Sequence, residues 1–478
     1  MNVSLGDLLV RERVITFAQL SEALAFQKQE GLRLGDALVA LGHINAETLK
    51  RFFHNTPPLP RTIAQTGLST TFLIDLVLKI AYFLGGAFSL DELAKKICLP
   101  AIVVDELTEL AKSERLLAIR SAAGFARLST VYELTDQGRR RADDALGQSQ
   151  YAGPAPVSLQ VYSAMVARQS IRQLEIDAAW LRDGLAQLVL NERLLEQLGP
   201  AFGSGRSIFL YGPAGTGKSS IAELLARTMP GEVYVPYAIE LDGQVLKVFD
   251  PAVHISVDGA SEETKELDLA ATQAFDLRWR LCRRPVVIVG GELELAALDL
   301  DYEPVSKFYE LPIHIKAANG IFILDDFGRQ MVPPRQLLNR WIVPLERGTD
   351  FLSLHTGKKF EVPFDQITVF CTNLRPSELV DEAFLRRIRH KIKVGYQTEA
   401  EFLEILRRVC EMQGIPYEPE AAGYLLDSYY RKTQRPLVGS HPRDLVDQIV
   451  DRARFRKMRP ELTVESIDAA AANYFVEM

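Results

Sequence analysis

At 478 residues the chain is long enough for three or four domains of ordinary size and for a sizeable core. With 47% hydrophobic residues, 24% charged residues and a formal net charge of −7, it has the balance of a globular protein and lacks the global basic excess that nucleic-acid binding draws on. Its four cysteines, Cys98, Cys282, Cys371 and Cys410, are widely spaced with no CxxC pair, which argues against a zinc site or disulfide framework and fits a reducing compartment.

The opening MNVSLGDLLVRERV lacks the basic-then-apolar order of a signal peptide. The most apolar window, Phe72 to Phe88, is interrupted by Asp75 and Lys79 and reads as a buried helix rather than a membrane span. A cytoplasmic protein without membrane insertion is expected.

Residues 1–57 carry an internal repeat. Leu5-Gly6-Asp7-Leu8-Leu9-Val10 recurs at an offset of 29 as Leu34-Gly35-Asp36-Ala37-Leu38-Val39, and the same offset pairs Ile15 with Ile44 and Leu20 with Leu49. Two small helical units packed on each other are expected. The segment resembles the MshEN domain of type II secretion and type IV pilus assembly ATPases, some members of which bind cyclic di-GMP. The ligand-binding pattern is matched by Arg33, Leu34, Gly35, Gly42 and Gln27. It is departed from at Ser4 and Thr56, and at Arg13, where a glycine is expected. The resemblance therefore leaves two readings open, a cyclic di-GMP site and a protein-docking module that has lost the ligand.

The proline-rich Asn55 to Arg61 reads as a linker. From 65 to 147 the pattern predicts a helix over Phe72 to Leu84, a short helix Leu90 to Ile97 capped by Ser89, a third helix from Pro100 to about Lys112, a hairpin from Leu116 to Arg120 and Leu128 to Leu134, and a final helix. The order resembles a winged helix. Its recognition-helix position carries Asp105, Glu106 and Glu109, which repel phosphate, so protein docking is favoured over DNA. Arg139, Arg140 and Arg141 read as a solvated basic run. Gln148 to Pro156 reads as a second linker.

The strongest signal follows. Ser207 to Ser220, SIFLYGPAGTGKSS, joins an apolar strand to a helix through a loop that fits GxxxxGK[ST]. Gly212, Pro213, Ala214, Gly215, Thr216, Gly217, Lys218, Ser219 and Ser220 form a phosphate cradle. Its glycines turn backbone N–H groups inward and the following helix presents its positive end. Lys218 is assigned to the β- and γ-phosphates of ATP and the Ser219 hydroxyl to Mg²⁺.

Gly320 to Asp326, GIFILDD, is an apolar strand ending in two carboxylates, a Walker B arrangement in which Asp325 serves Mg²⁺. Ile367 to Asn373, ITVFCTN, is a third such strand. Ala383 to Ile392 is a basic stretch, AFLRRIRHKI, which alone reads equally as a solvated helix face, and the chain beyond Tyr396 has a helical pattern throughout. In this order the elements resemble an AAA+ ATPase, with residues 157–395 as an α/β P-loop nucleotide-binding domain and 396–478 as its helical lid. The hairpin at His355 to Pro363 is similar to one in the MoxR-like branch.

The resemblance implies roles. Asp326 polarises the attacking water, standing where glutamate is usual, and Asn373 helps place it. Arg443, in GSHPRDL, closes on the γ-phosphate from the lid. Arg387 is an arginine finger offered to a neighbouring subunit, with Arg386 as second choice, which requires a homo-oligomer, expected as a hexameric ring. A motor remodelling a protein target, such as pilus or secretion machinery, is one expectation; a DNA-binding regulator and an ATP-bound scaffold with little hydrolysis are the others. Two inserts, Val233 to His254 with a turn at Asp242-Gly243, and Tyr302 to Ala318, read as lining a pore or covering a sheet edge, with the edge favoured. His254, His314 and His355 lack metal-ligand spacing.

Overall fold

The computed structural model describes residues 6, 9–10, 14–46, 48–49, 56–121, 130–257, 275–379 and 385–475. Ser4, Leu5, Asp7, Leu8 and Arg13 of the first repeat, and Ala383 ahead of the basic stretch, lie outside them.

In the N-terminal unit, helix Phe17–Glu30 is opened by a Thr16–Gln19 capping box and closed at Gly31, and helix Leu34–Ala40 follows. The repeated glycines have one packing role in both copies. A Cβ on Gly6 would lie 2.5 Å from Leu20 Cδ1, and one on Gly35 would lie 2.9 Å from Leu49 Cδ2. The LG pair is thus the point where each copy lets its second helix approach closely.

The next unit packs helix Thr70–Phe83 against Leu90–Ile97, Ala101–Ser113 and Asp136–Gln148, with β1 (Ala87–Ser89), β2 (Leu117–Ser121) and β3 (Val131–Leu134) in an antiparallel sheet of order β1-β3-β2. Ser89 and Glu92 form a capping box at the second helix. Helix Thr70–Phe83 buries Leu73, Leu76, Val77 and Leu78 inside this unit. Among the described residues, no helix is long and apolar enough to cross a membrane. Arg141 is no solvated cation, since its guanidinium donates to Asp75 and Glu114, both at 2.7 Å.

Neither expected linker is a free tether. The Ala155 N–H donates to the Ile97 carbonyl at 2.7 Å, that of Gln150 to Ser306 at 2.9 Å, and that of Asp276 to Pro57 at 3.1 Å. Lys79, 5% exposed, donates to the Ser149 carbonyl at 3.1 Å, and burial pulls its ammonium down to about 8 against the pull of Asp75. A buried ion pair clamps the join. Arg278, 2% exposed, forks onto Asp276 and also donates to the carbonyls of Thr66 at 2.8 Å and Pro156 at 3.1 Å. Proline content signalled the absence of helix there, and the backbone found tertiary partners instead. Arg278→Ala strands the Asp276 carboxylate without its counter-ion, so it is expected to cost about 3–5 kcal/mol in urea unfolding. A loss under about 1 kcal/mol would contradict the clamp.

The remaining strands are β4 (Val157–Ser158), β5 (Ile208–Tyr211), β6 (Glu232–Pro236), β7 (Ala238–Leu241), β8 (Gln244–Lys247), β9 (Trp279–Arg283), β10 (Val286–Val289), β11 (Asp301–Glu303), β12 (Phe308–Glu310), β13 (Ile321–Leu324), β14 (Thr349–Ser353), β15 (Lys359–Pro363), β16 (Ile367–Thr372) and β17 (His390–Lys393). The central sheet is parallel, in the order β10-β13-β16-β5-β17. Every residue of β13 and β16 is buried, as strands covered on both faces require.

The two inserts join in one sheet. β7 and β8 do turn at Asp242-Gly243, with φ of 51° and 79°. However, β8 pairs with β12 of the second insert, and together they make a second sheet of order β11-β12-β8-β7-β4. Ala238 and Val245 of that sheet join the core of the preceding unit, and Phe308 packs against it. The inserts are a platform between units.

Beyond β17, helices Glu399–Met412, Pro419–Leu426, His441–Arg456 and Val464–Tyr474 share a separate apolar core that includes Phe402, Leu425 and Val446.

Candidate functional site

The carboxyl ends of β5, β13 and β16 converge, and each delivers one sequence-singled element there. Gly212 leaves β5 at φ 146°, where a Cβ would lie 2.1 Å from the Val394 carbonyl oxygen, so this position admits no side chain. Gly217, at φ 90°, caps helix Lys218–Arg227, which turns the first N–H groups of that helix toward the loop.

Lys218 is 6% exposed, and its Nζ donates to the carbonyls of Gly212 at 3.1 Å and Pro213 at 2.7 Å, holding the ammonium across the loop. Burial lowers its pKa, and the carboxylates of Asp325 and Asp326 oppose that shift. The neighbouring Cys371 thiol, pushed up by burial, is neutral and adds no charge. Thr216 Oγ1 donates to the Pro213 carbonyl at 2.9 Å and closes the loop on itself.

The two carboxylates are differently placed. Ser219 Oγ donates to Asp325 Oδ1 at 2.6 Å, and the Asp326 N–H donates to the same oxygen at 3.0 Å. Asp325 therefore faces the loop hydroxyl. Asp326 is exposed and sits at φ 48°, a left-handed conformation uncommon outside glycine, and its Oδ1 accepts from Asn373 Nδ2 at 3.2 Å. The strained turn aims the second carboxylate at the β16 amide and away from the first.

Lid and loop touch directly. The Ser440 N–H donates to the Gly215 carbonyl at 3.0 Å, and a Cβ on Gly215 would lie 2.6 Å from Val438 Cγ1. Arg443 follows in the first turn of helix His441–Arg456 with its side chain exposed. Ala214 and Ser220 complete the loop and its helix start, as the spacing requires.

Arg387 stands elsewhere. It precedes β17, whose His390 pairs with Ile208 at the start of β5, while the phosphate loop leaves the other end of β5. Four-residue strands put the two ends on the order of 10 Å apart. Arg387 Nε donates to Glu346, and Arg386 lies beside it, exposed.

One contributor escaped the sequence reading. Gln330, 8% exposed, donates from Nε2 to the Asp325 carbonyl at 3.2 Å and the Asp326 carbonyl at 3.4 Å, and accepts from the Gly328 N–H at 2.7 Å. It braces the acidic turn, and a lone glutamine after a strand has no periodicity that would mark it.

In the N-terminal unit, Arg33 is exposed at the start of helix Leu34–Ala40 and makes no capping bond. A cavity of about 630 Å³ in this unit is lined, among the described residues, by Val14, Val39, Gly42, His43 and Thr48, and Arg33 is not one of them.

A parallel sheet with a phosphate loop at the carboxyl end of one strand and an acidic turn on another is a P-loop nucleotide-binding fold. A protein-family model described as a domain of unknown function, DUF8689, matches residues 398–473, which span the C-terminal helices. A comparison with curated protein sequences gives no match. Among solved structures, the chain is similar to the RuvB Holliday junction branch migration motor of Thermotoga maritima, at 13% identity and a TM-score of 0.34 over 61% of this chain and 72% of that one. It is also similar to NtrX from Brucella abortus, at 12% identity and a TM-score of 0.35 over 79% of this chain and 63% of that one.

Proposed function

We propose that this chain is an AAA+ ATPase that hydrolyses ATP within a homo-oligomeric ring and uses the cycle to remodel a protein partner. The observation that carries the reading is the 2.6 Å contact between Ser219 Oγ and Asp325 Oδ1 at the foot of the phosphate loop. A hydroxyl and a carboxylate are the hard-oxygen donors that Mg²⁺ takes along with phosphate and water. Ser219 and Asp325 would hold the ion, which would supply positive charge against the negative charge of the phosphates.

The chain's own groups do the rest. The loop N–H groups and Lys218 bind and orient the triphosphate. Asp326 and Asn373, bonded at 3.2 Å, hold the attacking water in line. Arg443 senses the γ-phosphate from the lid through the Ser440–Gly215 contact. Arg387, at the far end of the sheet from its own loop, serves a neighbouring copy.

The target is proposed to be a protein. Helix Ala101–Ser113 exposes Ile102, Glu106 and Leu110, and its acidic residues repel phosphate. The N-terminal repeat suggests a pilus or secretion component, and cyclic di-GMP on that unit is a separate proposal resting on Arg33 and Gly42.

Asp326→Asn tests the reading. It is expected to keep ATP affinity, to lower turnover about a hundredfold, and to retain a partner that wild type releases. Wild-type turnover in Asp326→Asn would contradict the role given to Asp326, and no measurable turnover in wild type would contradict the motor and leave only nucleotide binding.

A further inference from the structure

A second cavity lies at the opposite end of the central sheet. It holds about 600 Å³, the size of a small-molecule site. Arg206 and Ser207 enter it from the start of β5, Gln366 from the start of β16 and Arg389 from the start of β17, with Arg172 facing them. Among the described residues, Glu346 is the one carboxylate in its lining, against five arginines, so the described lining is strongly basic and favours an anion.

Two features go beyond what a fingertip arginine needs. Among the described residues, the side chains of Arg172, Arg206 and Arg389 carry no hydrogen bond or ion pair to another group, so their guanidinium forks are open to phosphate. Gln366 is 6% exposed, yet neither its Oε1 nor its Nε2 has a hydrogen-bond partner. A buried amide with both bonds unmade is costly, and it offers adjacent donor and acceptor groups of the kind that pair with a nucleobase edge, adenine above all. Phe364, 4% exposed, and Pro344 give the cavity an apolar wall against which a base can lie.

We infer that this cavity is a second nucleotide site, in which Arg172, Arg206 and Arg389 take the phosphate and Gln366 reads the base. The same arginines could receive phosphates from a free nucleotide or from one held by a neighbouring copy; the open amide beneath them assigns the free nucleotide. Arg386 and Arg387 also line the cavity, with Arg387 held by Glu346, but neither is assigned a role in it, and the phosphate loop is no part of the site.

The test uses full-length Lys218→Ala protein, in which no copy can supply nucleotide from its own loop, titrated with AMP and with inorganic pyrophosphate by calorimetry. One AMP per chain is expected. Its affinity should fall tenfold or more in Lys218→Ala/Arg206→Glu and in Lys218→Ala/Gln366→Leu, whereas pyrophosphate should be weakened by Arg206→Glu alone. Melting curves check that each variant is folded, and Arg206, being exposed, can be changed without disturbing the core. Binding seen in wild type and absent from Lys218→Ala would show that the loop supplied the nucleotide and would overturn the inference. AMP binding unchanged by both substitutions would overturn it as well. ATP turnover, measured separately on wild type, decides the phosphate-loop reading whatever the outcome here.

Discussion

Lys218→Ala is expected to abolish detectable ATP turnover, a loss of at least about a hundred- to a thousandfold, with most ATP affinity lost as well. The side chain is nearly buried, and its ammonium spans the loop carbonyls of Gly212 and Pro213. In the proposed reading it is the charge that reaches the β- and γ-phosphates. Alanine leaves the loop glycines and the helix start in place, so the fold should survive while the phosphate loses its main counter-charge. Equilibrium binding of a fluorescent ATP analogue, with phosphate release as the second readout, measures both effects. Turnover within about tenfold of wild type would contradict the site.

Arg387→Ala is expected to act differently. Its guanidinium stands at the amino end of β17, held by Glu346, and the loop it would serve on its own copy is at the opposite end of β5. Loss of an arginine finger in related chemistry lowers turnover by about a thousandfold or more. ATP affinity of the isolated chain should stay within about twofold, because the residue stands at the opposite end of β5 from its own loop. A large loss of affinity with normal turnover per bound ATP would assign Arg387 to binding in its own copy.

Legibility from the sequence followed the range of the interactions involved. The phosphate loop, the acidic turn, Asn373 and the lid helices depend on residues close in sequence, so spacing and periodicity marked them. The repeated LG pair was visible for the same reason, and the structure adds its cause, the close approach of Leu20 to Gly6 and Leu49 to Gly35. What could not be read was long-range. Pairing of β8 with β12 joins Leu246 to Tyr309, in two inserts far apart in the sequence. Arg278 is clamped to Thr66 and Pro156, far away in the chain, so segments rich in proline looked like tethers and are anchored joints. Asp326 was legible as a carboxylate, but its left-handed backbone and the Gln330 brace were not, because both depend on how the turn packs against β16.

Mixing two inactive variants tests the shared site most directly. Lys218→Ala keeps Arg387 but cannot use its own loop, and Arg387→Ala keeps the loop but offers no finger. If the finger acts between copies, an equimolar mixture regains ATP turnover, because an intact loop meets an intact Arg387 at some of the interfaces. If the mixture stays as inactive as its components under conditions where the copies exchange, Arg387 does not act in trans and the site is not shared.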